Sequence, residues 1–275
     1  MENLQADITK LNQWFQEHPK VLIALSGGVD SCLVAFMARQ QLGKNNAIAV
    51  ISNSASLKQK DLLDARIFAD TYDIELVEID ANEIEDINYS SNPVNRCYYC
   101  KSNLYNAIQK LLSKYPDFEI INGNNYDDTG DYRPGMKAAN EFSVRSPLLE
   151  CKITKESIRN ISKHYKLTVW DKPASPCLSS RFPYGEHITR ERLSMVENAE
   201  NLINKHGFKD VRVRYKNGGA SIEVPQKELG LLNKQLSYVI PKLITEYGFS
   251  SVKIDNEGLV SGKLNRDIKT DNADN

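Results

Sequence analysis

The chain has 275 residues, of which 41% are hydrophobic and 26% charged, and its formal net charge at pH 7 is −1. That balance is ordinary for a soluble protein of two modest domains, and it excludes recruitment of a long nucleic acid by bulk charge. Met1-Glu2-Asn3 begins no signal peptide and no apolar run reaches transmembrane length, so a cytoplasmic protein without membrane contact is expected.

In chain order, Asp7 to His18 reads as a helix with Leu11, Trp14 and Phe15 on one face. Val21-Leu22-Ile23 is a short apolar strand. The next residues, Ala24-Leu25-Ser26-Gly27-Gly28-Val29-Asp30-Ser31, turn it into a helix that runs to Leu42. A second strand covers Ala47 to Ile51, and Ser56 is expected to cap a helix reaching Tyr72. Glu75 to Ile79 is a third strand. Arg96-Cys97-Tyr98-Tyr99-Cys100-Lys101 opens a further helix to Leu112, and Glu119 to Ile121 is a fourth strand, ending at Asn122-Gly123. Residues 127–135 are too polar for core and are expected to line the site. Ser146 to Leu149 reads as an extended crossing, Thr154 as the cap of a helix to Tyr165, and Thr168-Val169-Trp170 as a strand closing the sheet.

The β-α-β-α-β order predicts an α/β domain with a parallel sheet covered on both faces. A domain boundary is placed near Gly185, after a loop stiffened by Pro173, Pro176 and Pro183. The first domain is then 1–185 and the second 186–275. The second reads as a small α+β unit: a helix from Thr189 to His206, two strands (Val211–Tyr215, Ala220–Val224) joined by a hairpin, a mostly helical stretch to Tyr247 interrupted near Pro241, and a strand at Ser251–Ile254. The last residues, from about Thr270, read as disordered.

The strand-to-helix turn is the chemical centre of the chain. Backbone N–H groups at a helix start attract anions, and Gly27 and Gly28 remove the Cβ atoms that would block a phosphate. Ser26 and Ser31 add hydroxyls, and Asp30 either holds the loop or reaches a Mg²⁺ ion on the phosphates. No Gly-Lys-Ser/Thr follows, so this is not a Walker A loop. Ser52 and Gly123 lie at strand carboxyl ends, where nucleotides bind such sheets, with Gly123 allowing a nucleotide close to the backbone.

The chain has five cysteines. Cys97 and Cys100 have the spacing of two metal ligands, and Cys177 sits on the proline-stiffened loop. A three-thiolate [4Fe–4S] cluster, a zinc site and uncoordinated thiols all remain open on spacing alone. Cys32 and Cys151 read as small apolar residues. In the second domain Arg212 and Arg214 alternate along one strand and so face the same way, a pattern for clamping a phosphate or carboxylate. Ser180 and Arg181 come from the cysteine loop, and Glu223 is placed to orient an arginine.

The SGGVDS stretch at 26–31 resembles the PP-loop of the N-type ATP pyrophosphatases (the adenine nucleotide alpha hydrolase-like fold), which implies cleavage of ATP between its α and β phosphates. Together with DYRPGMKA at 131–138, PCLSSRFPYG at 176–185, VRVR at 211–214 and SGKLN near the end, it makes nearly the whole chain resemble the LarE family of sulfur transferases in nickel-pincer nucleotide biosynthesis. The resemblance implies an enzyme that adenylylates the carboxylates of pyridinium-3,5-biscarboxylic acid mononucleotide and converts them to thiocarboxylates. It implies ATP at Ala24, Ser26, Gly27, Gly28, Asp30 and Ser31, and substrate phosphate at Ser180, Arg212 and Arg214. In some members of the family Cys177 would surrender its own sulfur. In others the trio Cys97, Cys100 and Cys177 holds [4Fe–4S] and passes on sulfur from sulfide or another donor, and the presence of all three favours that version. A homo-oligomer, plausibly a hexamer, is also implied. A PP-loop tRNA thiolase is the rival, but the basic RNA-binding surface it calls for is not visible.

Overall fold

The computed structural model describes residues 2–130, 134–260 and 262–266. Strands β1 (Val21–Ala24), β2 (Ala47–Ser52), β3 (Glu75–Ile79) and β4 (Glu119–Ile121) form a parallel sheet in the order β3-β2-β1-β4. Period-2 alternation splits their side chains between two cores. Val21, Ile23, Ala49 and Ile51 pack with Leu11, Phe15, Leu33, Phe68 and Ile161 from the helices at 2–17, 29–42, 59–71 and 155–164. Leu22, Ala24, Ile48 and Val50 pack with Tyr105, Ile108, Ala138 and Ala139 from the helices at 96–111 and 134–141. The sheet is thus covered on both faces, as its crossover connections require.

Three local expectations give way. Ser56 does not cap the third helix, which starts at Gln59 after Lys58. Its hydroxyl donates instead to the buried carboxylate of Glu83 at 2.8 Å, because an unpaired buried carboxylate costs more than an empty cap. Pro147 at a first helical position turns 147–150 into a short helix, not an extended crossing. Residues 168–170 add no strand to the sheet. They lie in a turn, with Trp170 N–H donating to the Leu167 carbonyl at 3.2 Å.

Contacts divide the chain into two compact units, Met1–Glu83 with Cys97–Ser175, and Ile84–Arg96 with Pro176–Asn275. The second therefore begins at Pro176, ahead of Gly185, and includes a piece from before the CxxC. In this unit β5 (Arg212–Lys216) pairs antiparallel with β6 (Gly219–Glu223), which pairs parallel with β7 (Ser251–Ile254). Asn217 and Gly218, both at positive φ (48° and 83°), make the hairpin turn. Val213, Tyr215, Ala220 and Ile222 enter a core with Leu202, Ile203, Leu232 and Leu243 of the helices at 190–205 and 229–247. The latter helix continues through Pro241 without a break. The opposite strand faces carry Arg212, Arg214, Ser221 and Glu223. The expected disordered tail and residues 131–133 of the DYRPGMKA motif fall outside the described residues.

Candidate functional site

The PP-loop closes on itself through its two serines. Ser31 Oγ accepts from Ser26 N–H (3.1 Å), lies 3.0 Å from Ser26 Oγ and donates to the Gly28 carbonyl (3.2 Å). The helix begins at Val29 with Gly28 as its N-cap and no side chain capping it, so its first N–H groups keep no side-chain acceptor at the cap. Gly27 is at φ +73°, and a Cβ there would lie 3.3 Å from the Asp61 carbonyl. Gly123 has a structural reason to be small: a Cβ on it would meet the backbone N and Cα of Ser31 at 2.7 and 2.8 Å. The end of β4 packs directly against the loop backbone, and glycine is what lets it approach. Ser52 Oγ accepts from Ala81 N–H at 3.2 Å and ties the ends of β2 and β3 together.

Asp30 is held by Lys155, whose ammonium lies 2.6 Å from Oδ1. Lys155 also donates its backbone N–H to Asp127 at 2.7 Å. Sequence reading missed this lysine, although one signal was present: a cation in the first turn of a helix opposes the macrodipole and calls for an anionic partner. Behind the loop, Lys172 bridges Asp61 and Asp64 at 3.1 Å each, and Ser175 Oγ donates to Asp61 at 2.6 Å. Burial lowers the Lys172 pKa, and the two carboxylates more than reverse that.

The cysteines separate by environment. Burial pushes the Cys32 thiol up to about 12 and the Cys151 thiol up to about 11, so both are chemically quiet. Cys97 is exposed in the first turn of the 96–111 helix, and Cys100 is half-buried one turn further on. Cys177 is exposed at the start of a short 3₁₀ turn. Its carbonyl accepts from Ser180 N–H (3.1 Å), Ser180 Oγ (2.8 Å) and Arg181 Nη1 (3.1 Å), so its backbone is fixed while its sulfur faces outward. As soft donors these thiols suit an iron–sulfur or zinc group. Among the described residues, however, no three His, Cys, Asp or Glu side chains are gathered to hold a metal. Cys97 and Cys100 belong to the first unit and Cys177 to the second. Arg96, the residue before Cys97, is buried, pairs with Asn92 Oδ1 and donates to the Ser179 carbonyl at 3.2 Å.

Arg181 requires a correction. It is 1% exposed, bonds Glu200 through Nε (2.8 Å) and Nη2 (3.0 Å), and spends Nη1 on the Pro176 and Cys177 carbonyls and Ser180 Oγ. A guanidinium this committed does not greet substrate; it braces the cysteine loop. Arg214 donates Nε to Glu223 (3.0 Å) and Nη1 to the Ser180 carbonyl (2.6 Å), and Glu223 is itself buried. Arg212 is half-buried and has no hydrogen-bond or ion-pair partner among the described residues. Burial, then Arg181 and Arg214, lower its pKa. Beside Arg214 a cleft of about 820 Å³ opens on the same sheet face, walled by Ser221, Glu223, Lys253, Asp255 and Lys263.

The NAD synthase family matches residues 4–110. An uncharacterized protein of Synechocystis is 44% identical over 96% of this chain and 98% of its own length. The pyridinium-3,5-bisthiocarboxylic acid mononucleotide synthase of Lactiplantibacillus plantarum is 32% identical over 90% of this chain and 89% of its own. The chain belongs to the LarE family of ATP-dependent PP-loop sulfurtransferases. A glutamine-hydrolyzing GMP synthase of Clostridium botulinum is 24% identical over 68% of this chain and 40% of its own length. The LarE-family match runs through both units, whereas the NAD synthase match ends within the 96–111 helix. ATP use thus rests on the first unit. No helix among the described residues is long and apolar enough to cross a membrane.

Proposed function

We propose that this LarE-family enzyme adenylylates the carboxylates of pyridinium-3,5-biscarboxylic acid mononucleotide and converts them to thiocarboxylates for a nickel-pincer nucleotide. A substrate carboxylate oxygen attacks the α-phosphorus of ATP, the bond to the bridging oxygen breaks, and pyrophosphate leaves. The N–H groups of Gly27 to Ser31 and the hydroxyls of Ser26 and Ser31 bind that leaving group. Asp30 is the loop carboxylate that would reach Mg²⁺, exchanging its Lys155 partner for the ion, and the ion would neutralise phosphate charge. A sulfur nucleophile then attacks the activated carbonyl carbon and AMP departs. The product named for the Lactiplantibacillus relative supports the substrate. Arg212 carries the assignment of its phosphate: a half-buried guanidinium with no hydrogen-bond or ion-pair partner among the described residues is available to an anion.

For the sulfur, our reading is that Cys97, Cys100 and Cys177 hold a [4Fe–4S] cluster, which when bound would supply a coordination position for the transferred sulfur. The presence of all three cysteines in the chain supports this. The outward Cys177 sulfur on its braced backbone favours a second reading, in which that cysteine alone gives up its sulfur. The deciding experiment is anaerobic purification with iron and sulfide analysis, then intact mass after turnover. The cluster reading expects iron, an unchanged mass and loss of colour in Cys97→Ala. A protein without iron that loses about one H₂S on turnover establishes the sacrificial route instead. By family resemblance the enzyme is also proposed to be a cytoplasmic homo-oligomer.

A further inference from the structure

Lys263 and Leu264 of the SGKLN motif have no part in the function above, yet they wall the cleft beside Arg214. Their place is set by main-chain contacts. Leu259 N–H donates to the Val224 carbonyl at 2.9 Å, and Gly258, at φ +73°, passes so close that a Cβ would lie 2.7 Å from that oxygen. This docks residues 258–259 against the end of β6, and Lys263 lies back against the strand at Glu223. The Lys263 ammonium lies 2.7 Å from Asp255, 3.4 Å from Glu223 and 3.4 Å from Glu257. Glu223 is 2% exposed, and its other oxygen binds Arg214 at 2.9 Å. Burial alone would pull the Lys263 pKa down, but Asp255 and Glu223 raise it above its usual value, so the lysine stays charged.

The charges decide what Arg214 can do. Glu223 is a carboxylate buried from water, and with Arg214 as its sole partner it would offset that arginine toward any incoming anion. A second cation on the far oxygen changes the balance. We infer that Lys263 is a positioning residue of the phosphate site: by offsetting the buried Glu223 carboxylate it leaves the charge of Arg214 for the substrate's phosphate monoester. The inference rests on the reading that Arg212 and Arg214 hold that phosphate.

The test is steady-state pyrophosphate release with pyridinium-3,5-biscarboxylic acid mononucleotide as the varied substrate. Lys263→Met is expected to raise its KM about tenfold, the scale of one charge-assisted contact, with kcat and the KM for ATP unaltered. Lys263→Arg restores the KM. So does adding Glu223→Gln to Lys263→Met, because removing the carboxylate removes the need for the lysine. An unchanged KM in Lys263→Met, alongside a raised KM in Arg212→Ala, overturns the inference and leaves the phosphate site standing. An unchanged KM in Arg212→Ala removes the phosphate site itself. A fall in kcat and melting temperature that Glu223→Gln does not relieve makes Lys263 merely structural, and also overturns the inference.

Discussion

Under the proposed function, the two units meet anions in opposite ways. The first builds its site from main chain: N–H groups at a helix start, two serine hydroxyls and glycines that let other backbone come close. The second is proposed to build its site from guanidinium groups on a sheet face and the turn beside it, graded by how much the protein already uses them. Arg181 is fully spent, Arg214 partly spent and Arg212 unspent. A backbone site tolerates side-chain change and fails when the main chain is displaced. A side-chain site fails one truncation at a time, and each truncation touches a different property.

The largest expected effect lies at the spent arginine. Arg181→Ala strands the buried Glu200 carboxylate and should cost about 3–5 kcal/mol of stability, read as a lowered urea midpoint. A midpoint like that of the parent would mean the pair is not what braces the Cys177 loop. Next comes the unspent one. Arg212→Ala should weaken the phosphorylated substrate by about 1.5–3 kcal/mol, seen as a raised KM with stability held. Against both stands Gly123→Ala, whose Cβ would strike Ser31 backbone. It should cost about 1–3 kcal/mol and suppress pyrophosphate release while leaving mononucleotide affinity in place. Normal release would show that the loop accommodates displacement and would erase the contrast.

The smallest effect belongs to neither site. Partial burial would raise the Glu150 pKa, but hydrogen bonds from Arg145, Trp14 and the Ser146 backbone override it and hold it at about 2, below the ordinary 4.5. The stability this carboxylate confers is present above its unfolded pKa and is lost as pH falls toward 2. Urea midpoints measured down that range should fall more gently in Glu150→Gln than in the parent, with pyrophosphate release at neutral pH the same in both.

The contrast also explains what could be read from sequence. A backbone site is local: strand, glycines, hydroxyls and helix start are consecutive residues, so SGGVDS stood out at once. The sheet was equally legible, since each strand is a short apolar run with its partners on both faces. Thr168-Val169-Trp170 misled because β-branched and aromatic residues describe a strand without guaranteeing a neighbour to pair with. In the second unit nothing in the letters separates Arg181 from Arg212. The distinction lies in Glu200, which sits on a different element and comes into contact only on folding. Lys155, which partners Asp30, is hidden by the same kind of distance.

One feature of the chain path bears on how the molecule is made. Asn92 donates its side-chain amide to the Pro183 carbonyl at 2.7 Å, and the carbonyls of Asn92 and Ser90 accept from Gly185 and Ile188 N–H at 2.9 and 2.8 Å. These bonds join a segment synthesised early to one that emerges after most of the first unit is complete. On the ribosome, residues 84–96 therefore lack these partners until the cysteine loop follows them out, a long-range closure of the kind that slows folding. A fragment cut at Pro176 would lack the strap that secures its own N-terminal loop, so the second unit is not a module that can be lifted out and grafted elsewhere.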